Sequence, residues 1–84
     1  MIPFDPAKDI INQHKHGVSL ARSVELAEVV IVADHRFNYG EPRFQAFGLL
    51  DGVPYCLAFT VRDGGPRAIS LRRARRKEYL RHAI

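Results

Sequence analysis

The sequence has no tryptophan, one methionine and one cysteine, Cys56. A lone cysteine forms no internal disulfide. With no CxxC or Cys/His spacing around it, Cys56 marks neither a structural zinc site nor a redox pair, so packing is its expected role and a reducing compartment its expected setting. No stretch approaches the roughly 20 apolar residues of a membrane span, and Met1-Ile2-Pro3-Phe4-Asp5 lacks the basic and then apolar pattern of an export signal. Repeats, linkers and low-complexity tracts are missing too. His14-x-His16 lacks the i,i+4 pairing and third ligand of a metal site. These absences point to a cytoplasmic protein with no membrane contact and no cofactor or metal.

What is present suits one small globular unit. Of the 84 residues, 46% are hydrophobic and 26% charged, close to ordinary usage, and a chain of this length buries a single core, so one domain over 1–84 is expected. The net charge of +4 hides an asymmetry. Residues 1–61 carry five basic and seven acidic side chains, whereas residues 62–84 carry eight basic ones against Asp63 and Glu78. The C-terminal quarter is therefore the end that meets polyanions.

Asp5-Pro6 reads as a helix start, with Asp5 as N-cap and Pro6 at the first helical position, and Lys15-His16-Gly17 as its end. Ile10, Ile11 and His14 are placed on the inner face of this first helix. Ser19 is suited to cap a second helix with an apolar stripe of Leu20, Val24 and Ala27. Val29 to Ala33 is a β-branched run expected to form a short buried strand. Asp34 to Pro42 reads as a loop. Residues 43–50 and 53–62 read as a hairpin about Asp51-Gly52, with Pro54 hinting at an edge or bulge. Asp63-Gly64-Gly65-Pro66 turns the chain into a last strand over 67–71. From Arg73 onward a basic helix follows, with a thin stripe of Ala74, Leu80, Ala83 and Ile84. The fold class is α+β: two N-terminal helices, a four-stranded antiparallel sheet and a C-terminal basic helix.

Strand parity carries this further. Leu57, Phe59 and Val61 share one face of the third strand, and matching them to Ile69 and Leu71 puts Thr60, Arg62, Ser70 and Arg72 together on the other face. That match requires an odd number of loop residues. Arginine forks suit phosphate oxygens. RNA is cut without a metal when its 2′-hydroxyl attacks the adjacent phosphodiester, which calls for a base, a cation and an acid. Arg62 and Arg72 fit the cation; His16, His82, or Glu41 with a raised pKa fit the base or acid. The same residues have plainer uses: arginines solvating a sheet edge, His16 beside a helix C-cap, and a basic tail as a general polyanion contact. Ser70 has no His/Asp pattern for nucleophilic catalysis.

Short motifs then recur in a specific order: Phe4-Asp5-Pro6-x-Lys8, Asn12, Lys15-His16-Gly17-Val18, Gly40-Glu41-x-Arg43, Gly48-x-x-Asp51-Gly52, Phe59-Thr60-x-Arg62 and Arg67-x-Ile69-Ser70-x-Arg72-x-Ala74, running into a basic helix with Glu78. Over nearly the whole chain this series resembles the BrnT toxin family. The resemblance implies a RelE-like fold, metal-independent endoribonuclease activity that inhibits translation, and neutralisation by a BrnA-like antitoxin with a ribbon-helix-helix domain. Operator DNA would be met only through the antitoxin complex. Carried over by position, the catalytic candidates are His16, Glu41, Arg62 and Arg72; the RNA-binding candidates are Lys15, Arg43, Arg67, Ser70, Arg73, Arg76 and Lys77. The chain departs from the pattern at Phe4, where Trp is common, at Val53, where Arg is frequent, and at His82, where a Tyr often stands. A non-catalytic module that binds nucleic acid or protein, or an inactivated remnant that still holds its antitoxin, fits the same composition.

Overall fold

A computed structural model describes residues 2–83. Helix α1 spans Pro6–His16; a 3₁₀ helix spans Leu20–Glu25; strands β1 (Ala27–Ala33), β2 (Arg43–Leu50), β3 (Val53–Arg62) and β4 (Gly65–Arg73) follow, and helix α2 spans Arg76–Ala83. The strands form one antiparallel sheet in the order β1-β2-β3-β4, so the α+β expectation holds in its sheet and its C-terminal helix. Ile84 lies outside the described residues, as does the side chain of Ala83.

The caps of α1 are those expected. Asp5 accepts from the Ala7 amide at 2.9 Å, and Gly17 closes the helix in the left-handed region at φ 69°. Its inner face is not the one expected, because Ile10 and Ile11 are exposed and Asn12 is buried. The Asn12 side chain donates to the carbonyls of Val18 and Leu71 and accepts from the Leu71 amide, docking α1 against β4.

The second helix shortens to six residues of 3₁₀ structure. Ser19 caps it as expected, but the Ser23 hydroxyl bonds back to the Leu20 carbonyl and the Leu26 amide to the Ser23 carbonyl, i to i+3 contacts that tighten the turn and end it. Ala27, placed in the helical stripe by its spacing, instead opens β1 opposite Leu49. Nor is β1 a buried strand. With α1 lying over β4 and only one 3₁₀ stretch before β1, Val29 and Ile31 of this edge strand stay exposed.

Two tight turns with positive φ at both central residues, Asp51-Gly52 and Asp63-Gly64, set the hairpins β2-β3 and β3-β4. The second turn has two residues, not an odd number. The missing residue is found inside β4: Ala58 faces Ser70 and Phe59 faces Ala68, so Ile69 is the extra residue of a bulge. Pro54 is in a central strand, not at an edge. It lies one place beyond the last β3-β4 pair, Tyr55 and Arg73, and its carbonyl still accepts from the Ala74 amide at 3.0 Å, so the ladder ends where proline cannot donate in return.

The register gives the sheet two unlike faces. On one, Ala46, Leu57, Phe59, Ala68 and Leu71 join Val18, Leu20 and Leu50 in the core beneath α1. On the other stand Arg43, Phe47, Cys56, Thr60, Arg62, Arg67, Ser70 and Arg72. Helix α2 covers part of this second face, stacking His82 on the buried Phe47 with ring centroids 4.5 Å apart.

Candidate nucleic-acid interface

Directly opposed residues on neighbouring strands share a face, so Arg43, Thr60 and Arg67 form one row across β2, β3 and β4. Arg62 stands two residues beyond Thr60 on the same side. The segment between β1 and β2 brings Glu41 into this group: Arg62 Nη2 lies 2.8 Å from Glu41 Oε1, and Arg43 Nη2 lies 3.5 Å from Glu41 Oε2. The fully buried Thr60 hydroxyl donates to the Pro42 carbonyl and fixes the end of the segment. Arg43 also rests on the Tyr39 ring, 4.1 Å from its centroid, and its Nε is a buried donor without a partner among the described residues. Such a donor is costly unless something completes it.

The Arg62 hydrogen bond outweighs partial burial and holds the Glu41 carboxyl below the usual range. The raised pKa on which an acid role for Glu41 depends is not found. At neutral pH Glu41 is a carboxylate, able to accept a proton and unable to supply one.

The segment is organised by Asp34. Its buried carboxylate accepts from the Arg36 amide, from Arg36 Nε and Nη2, and from the Tyr39 hydroxyl at 3.1 Å. The Arg36 hydrogen bonds keep its pKa far below the ordinary carboxylate value.

The other candidates lie elsewhere. Arg72 pairs with Cys56 in the ladder, six residues along β3 from Arg62, or about 20 Å at the usual strand rise. The two arginines share a face, as parity predicted, but not a single phosphate site. Arg72 instead grips Glu78 of α2 through its two terminal guanidinium nitrogens, at 3.1 and 3.2 Å. Arg73, Arg75, Lys77 and Arg81 surround this pair. Arg76 is exposed at the start of α2. Lys15 and His16, both exposed, line a separate hollow with Ser70 at the β4 edge. His82 is occupied by Phe47. Among the described residues, Lys15, Arg67, Arg73, Arg76 and Lys77 meet no carboxylate.

The sequence reading missed His35, Phe37 and Tyr39, which line a hollow together with Glu41 and Arg43. Two aromatic residues just upstream of Glu41 and Arg43 were the available signal. Among the described residues, no three His, Cys, Asp or Glu side chains come together as a metal ligand set, and no helix is long and apolar enough to cross a membrane.

On one face of this small α+β domain, arginines of β2, β3 and β4 stand on the side where Glu41 pairs with Arg43 and Arg62. Residues 4–78 match the family model described as "Ribonuclease toxin, BrnT, of type II toxin-antitoxin system". The chain therefore belongs to the BrnT family of ribonuclease toxins. Neither the curated proteins nor the solved structures compared with it give a match.

Proposed function

We propose that this chain is a cytoplasmic, metal-independent endoribonuclease of the RelE-like kind, which stops translation by cutting RNA at the Glu41, Arg43, Arg62 and Arg67 cluster. The observation that carries the reading is the placing of Glu41 within reach of Arg43 and Arg62, with Arg67 on the same face in the ladder row of Arg43 and Thr60. In the reaction the 2′-oxygen forms a bond to phosphorus while the bond from phosphorus to the 5′-oxygen breaks. Glu41 accepts the 2′-hydroxyl proton, and the arginines neutralise the charge that grows on the phosphorane. A proton must reach the leaving 5′-oxygen; His35, lining the same hollow as Glu41, is the imidazole assigned to that step. Arg72, Arg73, Arg76 and Lys77, with Lys15, Ser70 and His16, lie along the remaining path of the RNA backbone. The neutralising partner is a BrnA-like ribbon-helix-helix antitoxin, which carries the pair to operator DNA.

Incubation of the purified protein with RNA in EDTA tests this. The expected products end in a 2′,3′-cyclic phosphate, and Glu41→Gln lowers kcat by about 100-fold, in the range of general acid-base effects. Removing the carboxylate also frees Arg62, so KM falls rather than rises. Intact RNA at every pH from mildly acidic to mildly basic overturns the reading, and so does full activity of both Glu41→Gln and Arg62→Ala.

A further inference from the structure

The hollow beside the arginine row has a volume of about 170 Å³ and is lined in part by His35, Phe37, Asn38 and Tyr39. Phe37 is 69% exposed, a large apolar ring standing in water on a loop. Its loop is nonetheless well tied: Tyr39 is anchored by its hydroxyl to Asp34, Arg36 is held by the same carboxylate, and the Asn38 side-chain oxygen accepts from the Gly40 amide at 3.1 Å. Phe37 and Tyr39 meet edge to face, with centroids 5.8 Å apart and planes at 76°. The geometry therefore leaves a face of Phe37 open, while Arg43 stacks on Tyr39 and joins the hollow to the Glu41 cluster.

Resting on the ribonuclease reading, we propose that this hollow binds an unpaired nucleobase of the RNA next to the cleaved phosphate, with Phe37 as the stacking platform. Unstacked bases in single strands are held this way, by an aromatic ring beside a cationic track for the backbone. The Asn38 amide nitrogen, a polar group of the hollow whose own oxygen is held by the Gly40 amide, meets the edge of the base. Discrimination among bases arises at Asn38, since stacking alone tolerates any base. A double-stranded RNA offers no such base, so the site favours single strands.

The absence of tryptophan supplies the test: Phe37→Trp is the only indole in the chain. The probe is a fluorescently labelled 2′-O-methyl oligonucleotide, whose blocked hydroxyl cannot attack. Binding is followed by anisotropy and stacking by tryptophan emission. Quenching of the emission on binding is expected, and an oligonucleotide made abasic throughout quenches little. Phe37→Ala weakens binding by about tenfold, within the range of one lost base-aromatic stack, and Phe37→Tyr retains it. Three outcomes overturn the proposal: binding with unchanged emission, equal quenching by the abasic probe, or wild-type affinity in Phe37→Ala, as when Phe37 serves a protein partner instead. Because the probe is not cut, these outcomes are separate from a failure of cleavage, which bears on the ribonuclease reading.

Discussion

Asn12 of α1 and Leu71 of β4 are joined by a reciprocal pair of hydrogen bonds, in which the side-chain amide of one donates to and accepts from the backbone of the other at 2.9 and 3.0 Å. A side chain here does the work of a neighbouring strand, with a further bond to the Val18 carbonyl. Asn12→Ala leaves buried backbone groups at Leu71 and Val18 unpaired, and unfolding in urea should show a loss of about 3 kcal/mol. A midpoint equal to that of the parent would mean that water enters and replaces the amide.

Gly48 of β2 is a packing glycine. A Cβ at this position would stand 2.9 Å from the Ala27 carbonyl oxygen and 3.1 Å from Val29 Cγ2. Gly48→Ala must push β1 away and is expected to cost about 1–3 kcal/mol, as overpacking does, measured by the same urea unfolding. Amide exchange should rise first in β1; uniform protection across the sheet would contradict the account.

The Arg72 pair lowers the pKa of Glu78, chiefly through the side-chain hydrogen bond. A carboxyl depressed in the folded state gives stability that is present in full above its ordinary value of 4.5 and is lost as pH falls through the lowered one. With about a third of each side chain exposed, the pair should contribute about 1 kcal/mol. Acid titration followed by helical circular dichroism should therefore loosen α2 below the usual carboxylate range, and Glu78→Gln should remove that dependence. A Glu78→Gln titration curve that overlays the parent's would refute the assignment.

Cys56 is 2% exposed, and burial pushes its thiol up to about 11. Thiolate is the reactive form, so labelling by a disulfide reagent near pH 8 should be roughly 100-fold slower in the folded protein than in urea. Rapid native labelling would show that β3 opens on its own.

The hairpins and the start of α1 were legible because they depend on local chemistry: Asp51-Gly52 tolerates the left-handed backbone, and Asp5-Pro6 caps a helix wherever it stands. The 3₁₀ helix was not, since the spacing of Leu20, Val24 and Ala27 carries no record that Ala27 pairs with Leu49. Ile10 and Ile11 misled for a related reason. Apolar residues are expected inward, yet the hydrogen-bonding needs of the β4 edge selected Asn12. For the site, the motif series found Glu41, Arg43 and Arg62, which the structure gathers together. It grouped Arg72 with them because parity reports the face of a strand and not the distance along it. Phe37 and Tyr39 escaped notice because their arrangement depends on the Asp34 carboxylate, whose role is visible only once the loop is closed.

The bulge at Ile69 decides what kind of surface the protein shows. Arg67 and Arg72 are five positions apart, an odd interval that in an unbroken strand would send them to opposite sides of the sheet. The skipped beat at Ile69 returns both to the side away from the core, opposite Thr60 and Cys56. Drawing Ile69 into a regular ladder would keep every arginine in the composition while turning either Arg67 or Arg72 toward the core face. The cationic surface is thus a matter of phase in the ladder as much as of charge.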